Sequence, residues 1–292
     1  MKQCFFSILA AFMFLNICRA QISRETIIGK LSDPVLSEVS GITPSRVHKN
    51  LFYVHNDRGK SDGSRFYAIA STGELKATWY FEGEVTDCED IAIGPGPRKN
   101  RSYIYLADIG DNEGSRSFIK VYRFEEPAAL PENTSIATTI KGKAFALAYP
   151  DGPRDAETIM IDPIEKLLYI ISKREDSVGI YTASIHLNGK RVNRLKKEGK
   201  IYFKGRPTEK WITSGDISVD GQQALVKAKD NVYYWRRHKN EPIHRTLQSP
   251  SYRYPAFIAR PRQEAIAFSN DGKGFYVVAE GEFAPVYYYV LE

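Results

Sequence analysis

Cysteine is scarce, with three in 292 residues, and two of them, Cys4 and Cys18, bound an apolar N-terminal stretch. That stretch is broken only by Ser7 and Asn16, follows the weakly basic Met1-Lys2-Gln3, and ends at Arg19-Ala20-Gln21. It reads as a signal peptide cleaved after Ala20, because a membrane span needs about 20 apolar residues. No later run reaches that length, which argues against membrane insertion and for a soluble secreted chain. Cleavage leaves Cys88 alone, so an intramolecular disulfide is excluded and the core, or a metal, must hold the exported chain together. Cys88 precedes an apolar strand start and is expected as a buried small hydrophobe, with pairing between chains as the alternative. Histidine is also rare, with five in the chain, which argues against a zinc centre. Gly-x-Ser-x-Gly, Walker and dinucleotide glycine patterns are missing. Helical periodicity is missing beyond the leader. The net charge of +6 becomes +4 without Lys2 and Arg19, too small an excess to imply nucleic acid.

What is present is a repeat. Ser40-Gly41-Ile42-Thr43, Glu89-Asp90-Ile91-Ala92, Glu157-Thr158-Ile159-Met160, Gly215-Asp216-Ile217-Ser218 and Glu264-Ala265-Ile266-Ala267 each place a small or acidic pair before isoleucine. Most run into a turn such as Asp162-Pro163, Asp220-Gly221 or Asn270-Asp271-Gly272. A β-rich run then follows: 50–55, 102–107, 166–172, 223–228 and 274–279. The isoleucines stand 49, 68, 58 and 49 residues apart. Such periods fit propeller blades, four-stranded sheets that cannot bury both faces alone. The expectation is an all-β fold: one β-propeller domain over 21–292, with five blades favoured over six. Only 26 residues follow Ile266, enough for three strands. The strand-like segment 22–31 is therefore expected to supply the outer strand of the last blade and close the ring.

In a propeller the inner strands line a central channel, and equivalent positions of successive blades converge on its mouth. Glu89, Glu157, Asp216 and Glu264 are expected there, beside loops carrying His55-Asn56-Asp57 and 108–112. Converging carboxylates raise one another's pKa unless a cation neutralises them, and oxygen donors favour a hard ion such as calcium. The same acids could instead cap turns or pair with Arg154, Lys173 or Arg174.

The series Ser40-Gly41-Ile42, His55-Asn56-Asp57, Cys88-Glu89-Asp90-Ile91-Ala92, Asp108-Ile109-Gly110-Asp111-Asn112, Pro153-Arg154-Asp155-Ala156-Glu157 and Glu264-Ala265-Ile266-Ala267-Phe268 resembles an uncharacterised family of secreted propeller-like proteins. That resemblance covers most of the chain and implies a propeller and export, without an activity; Cys88 stands where many relatives would carry an aromatic residue. A more distant likeness, resting on fold and an acidic channel mouth, is to calcium-dependent lactonase and gluconolactonase propellers. It implies calcium held by Asn56, Glu89, Glu157 and Asp216 or Glu264, polarising a lactone or ester carbonyl. His55 would then take a proton from water.

Two sequons, at Asn100 and Asn133, are candidate glycosylation sites. The stretch 191–204 carries Arg191, Arg194, Lys196, Lys197 and Lys200 with Tyr202 and Phe203, and suits an anionic glycan or extracellular matrix if it is more than a solvated loop. With no catalytic motif in view, the sequence favours a secreted, non-enzymatic binding or matrix protein. The alternative is a calcium-dependent lactonase or esterase-like hydrolase acting at the channel mouth.

Overall fold

The structure, a computed structural model of the chain, describes residues 25–57, 63–132, 136–253 and 257–291. The expected leader and the Asn133 sequon lie outside these residues. Short runs rich in Val, Ile, Tyr and Phe, separated by Gly, Asn and Asp turns, form strands throughout. In chain order, β1 (Glu25–Lys30) precedes the first blade, made of β2 (Val39–Pro44), β3 (Leu51–Asn56), β4 (Arg65–Ala70) and β5 (Leu75–Tyr80). The second blade comprises β6 (Cys88–Pro95), β7 (Ser102–Asp108), β8 (Ile119–Glu125) and β10 (Gly142–Ala148). Between its last two strands, β9 (Thr138–Thr139) adds to the outer edge of blade one. Blade three comprises β11 (Ala156–Asp162), β12 (Leu167–Ser172), β13 (Ser177–Ser184) and β15 (Lys196–Tyr202), and β14 (Asn193–Arg194) joins the edge of blade two. Blade four comprises β16 (Ile212–Ile217), β17 (Gln223–Ala228), β18 (Asn231–Arg236) and β19 (Tyr252–Arg253). Blade five comprises β20 (Gln263–Phe268), β21 (Gly274–Ala279) and β22 (Pro285–Val290). One six-residue α-helix, Ile243–Gln248, departs from the all-strand expectation and packs on blades three and four.

These five sheets settle the blade number: the longer intervals contain edge strands and turns, not a sixth sheet. The ring closes as expected, with β1 pairing antiparallel to β22 as the outer strand of blade five. Arg260 reinforces the closure with two 2.7 Å bonds to Glu25, whose carboxylate also accepts from the Tyr289 hydroxyl. Sheet bonding between the chain ends leaves no open edge inside the ring.

A shared irregularity marks the blades. Every inner strand carries a β-bulge one residue after its start, so that Ser40, Glu89, Glu157, Thr213 and Glu264 are each skipped in the pairing. A bulge re-aims the extra side chain out of the sheet. The partner of the third residue after the bulge recurs as tyrosine on the second strands: Tyr53, Tyr105, Tyr169 and Tyr276, with Leu225 in blade four. Tyr53, Tyr105, Tyr169 and Leu225 are fully buried, and these positions fill the clefts between neighbouring blades.

The bulges also correct the sequence alignment of blade four. Ile42 faces Val54 and Ile91 faces Leu106 across the first strand pair, and the residue at the matching place in blade four is Gly215, facing Val226. Ile217 lies two residues further along. A two-residue slip keeps the side chain on the same face of a strand, which is why Gly215-Asp216-Ile217 imitates the repeat in sequence.

Candidate functional site

The bulge end of the inner strands forms one mouth of the channel. Three positions recur around it. The bulged residues contribute Ser40, Glu89, Glu157, Thr213 and Glu264. The residues before the inner strands contribute Glu38, Asp87, Asp155, Trp211 and Arg262. The exits of the second strands are tied to these by one repeated backbone bond: Asp57, Lys173, Lys229 and Glu280 donate to the carbonyls of Glu38, Asp155, Trp211 and Arg262. Blade two has one residue more, so Gly110 donates to Asp87 instead, at 3.1 Å.

Within this frame Asp57, Asp87 and Glu89 bring one carboxylate oxygen each to within 4.8 Å of one another. Glu89 is only 4% exposed, and among the described residues no donor hydrogen-bonds its carboxylate. Asp87 is fixed through its backbone, which donates to Asp108 Oδ1 at 2.9 Å. Gly110 leaves the cluster its room: a β-carbon there would stand 2.4 Å from both Asp87 Oδ2 and Glu89 Oε1. A buried carboxylate facing two others and a glycine-lined cradle both fit a bound divalent cation.

The electrostatics agree. Burial, then the neighbouring Asp57 and Asp87 carboxylates, push Glu89 well above the usual carboxylate range, against the opposing pull of Lys173. Burial followed by Asp87, Glu280 and Glu264 raises Asp57 to about 6. Burial and Asp155 raise Asp87. Each group is easier to protonate folded than unfolded, where carboxylates titrate near 4. The contribution of Asp57 to stability is therefore fully present below about pH 4 and is lost as pH rises through about 6, and Asp87 and Glu89 act in the same direction. Chelator-treated protein should show a melting point falling over that window, and millimolar calcium should flatten the fall; melting curves at pH 4 to 7 with and without calcium check this.

The other candidate residues are placed as follows. Glu157 and Glu264 share the bulge position with Glu89, and Glu157 is ion-paired with Lys173. Asp216 does not join them: it sits three residues beyond the bulged Thr213, deeper in the channel. There its carboxylate accepts from the amides of Ile217 (2.8 Å) and Phe268 (2.9 Å), stapling blade four to blade five. Asp90 does the same for blades two and three through Ile91 and Ile159, both at 2.9 Å. Asn56 donates its amide to Val35 carbonyl at 2.7 Å. His55 is 1% exposed, with its ring against Gly41, where a β-carbon would lie 2.5 Å from Nε2. Burial lowers its imidazole to about 4, although the Asn56 and Glu89 backbones favour the charged form. The ring is thus buried against the inner strand with its neutral form favoured. Asp87, which no sequence motif singles out, becomes visible only once the five inner strands are aligned by their bulges.

Across the mouth, Trp211 carries the Arg174 guanidinium 4.7 Å and the Lys173 ammonium 5.9 Å from its ring centre. Arg174 Nε bonds Asp155 at 2.5 Å. Cys88 is free and buried, and burial pushes its thiol well up, so it behaves as a small hydrophobe. Asn100 is exposed in the β6–β7 turn with φ of 58°. Arg191, Arg194, Lys196 and Lys200 are exposed along the outer margins of blades two and three, with Lys196 2.9 Å from Glu198, while the half-buried Lys197 pairs with Asp151 at 2.5 Å. Among the described residues no helix is long and apolar enough to cross a membrane.

No protein-family model and no curated protein matches the chain. Among solved structures it is similar to a luciferin-regenerating enzyme, at 11% identity and a TM-score of 0.48, over 92% of this chain and 95% of that one. It is also similar to the WD40 repeats of RRP9, at 13% identity and a TM-score of 0.42, over 87% of this chain and 67% of that one.

Proposed function

We propose that the chain is an exported, divalent-cation-dependent hydrolase that acts on a lactone or ester at the channel mouth, with Asp57, Asp87 and Glu89 holding the cation. The observation that carries this reading is the Glu89 carboxylate, 4% exposed, facing two further carboxylates and accepting no hydrogen bond from the described residues. Burying such a charge is costly unless a counter-ion meets it. Three oxygen donors suit a hard ion, and calcium is the extracellular candidate.

A cation in this place supplies Lewis-acid polarisation of a substrate carbonyl. The chain's own residues do the rest. Trp211, with Arg174 and Lys173 over its ring, gives a substrate ring or acyl group a flat wall opposite the acids. Lys173, anchored by Glu157, brings positive charge to the side of the mouth where a substrate oxygen gains negative charge. Gly110 keeps the cradle open. A purely binding role accounts less well for the site, because it leaves the carboxylate cluster without a use.

A panel of lactones, aryl esters and phosphate esters, offered to chelator-treated and cation-loaded protein, tests the proposal. Turnover of a lactone or carboxylic ester that needs added calcium, magnesium or manganese is the expected result. Inertness toward the whole panel, or hydrolysis indifferent to chelator, contradicts it.

A further inference from the structure

The opposite end of the channel, where the inner strands finish, holds a cavity of about 550 Å³. One side of its lining is apolar, with Ile93 and Pro95 from blade two, Ile161 and Pro163 from blade three and Ile217 and Val219 from blade four, and Asn100, Arg101, Ser102 and Ser218 add a polar margin. Into this setting blade one extends Arg46. The cavity size falls in the range of small-molecule sites, about 300–1,000 Å³.

Arg46 is held in place without being neutralised. Asn270, from the blade-five turn, accepts from Arg46 Nη1 through Oδ1 and donates to the Ser45 carbonyl at 2.7 Å. The buried Glu126 grips the same loop from below, accepting from Ser45 Oγ at 2.6 Å and the Arg46 amide at 2.9 Å. Among the described residues no carboxylate lies at ion-pair distance from the guanidinium. The two nearest in effect are already engaged: Glu126 by Ser45, Val47, Ser102 and the Arg46 amide, and Asp216 by the amides of Ile217 and Phe268. Burial holds Arg46 below the ordinary arginine value, with Asp216 and Glu126 opposing. A pre-oriented guanidinium beside an apolar wall presents a planar fork matched to a carboxylate.

We propose that this far end of the channel binds a small amphiphilic carboxylate, its acid group on the Arg46 guanidinium and its apolar body against Ile93, Ile161, Ile217 and Val219. The site is separate from the acidic mouth and stands or falls independently of the hydrolase reading. Octanoate and its uncharged counterpart octanol are suitable probes, titrated into the full-length secreted protein by calorimetry and followed by ligand-observed NMR. Octanoate should bind at least about tenfold more tightly than octanol, one such factor corresponding to a single charge-assisted contact of about 1.4 kcal/mol. Arg46→Met should erase the preference while keeping the apolar component. Val219→Trp, which fills the cavity from its exposed wall, should abolish both, with melting curves confirming that each variant folds. Glu89→Gln, at the other mouth, should change neither. Equal binding of the two probes, a preference surviving in Arg46→Met, or no binding of octanoate at millimolar concentration would overturn the proposal.

Discussion

Glu89→Gln should lower cation affinity and turnover by at least about 100-fold and, at the same time, make the cation-free protein more stable at neutral pH. The two effects have one cause. Losing a partner outside the ligand shell already costs about 10–100-fold in metal affinity, so losing a buried ligand charge costs no less. Glutamine has nearly the same shape, so the bulge and the cradle beside Gly110 should survive. In the chelated protein, however, Glu89 is a desolvated carboxylate raised by burial and by Asp57 and Asp87. Replacing it removes the cost of ionising a buried carboxylate beside two others as pH rises. The stability lost by the wild type over that rise should then shrink. Calcium titrations followed by melting and by turnover read both signs. A variant that is destabilised without cation, or that keeps full calcium dependence, would show that Glu89 is a structural residue.

The largest loss of stability is expected from Arg237→Ala. Arg237 is 3% exposed at its side chain and meets the fully buried Asp162 through paired bonds of 3.0 and 2.8 Å, locking blade four to the end of β11. It also bonds Glu165 at 2.8 Å and the carbonyls of Glu241 and Gly221 at 2.7 and 3.0 Å. Truncation leaves Asp162 buried without its counter-charge, which costs about 3–5 kcal/mol. In a domain of this size that corresponds to a fall of roughly 10 °C in melting temperature. Arg237→Lys should recover only part of it, because an ammonium cannot bond both Asp162 oxygens in the same geometry. Calorimetric melting of the two variants decides: a fall under about 2 °C for Arg237→Ala would show that the pair is dispensable.

The number of blades and the closing strand were legible in the sequence for a physical reason. Each inner strand needs a small or acidic entry, a branched residue against the preceding blade and a turn, and those demands recur whenever a blade is built. The convergence of Glu89, Glu157 and Glu264 followed from the same repetition. Asp216 shows where such reading fails. A slip of two residues preserves the strand face, so an acid before an isoleucine resembled its counterparts while standing deeper in the channel and bonding the Phe268 amide. His55 looked available beside two polar neighbours, yet its burial under Gly41 depends on how blades one and two meet. Asp87 had no motif, since its value comes from the bulge that turns Glu89 toward it and from the missing β-carbon at Gly110. Arg46 was silent for a similar cause: its setting depends on Glu126 and Asp216 being engaged by other groups and on Asn270 holding its guanidinium. Lys197, grouped by sequence with exposed cations, is turned toward Asp151 by the strand alternation of β15.

Titration calorimetry of calcium into chelator-treated wild-type protein, paired with its melting temperature, tests the carboxylate cluster most directly. One equivalent should bind with proton release near pH 6, because Asp57 is raised to about 6 without the ion and must lose its proton to become a ligand. Stability should rise with free calcium as RT ln(1 + [L]/Kd), about 2.7 kcal/mol at 100-fold over Kd. No heat of binding, no proton release and an unchanged melting point across millimolar calcium, magnesium and manganese would contradict the assignment of Asp57, Asp87 and Glu89 as a cation site.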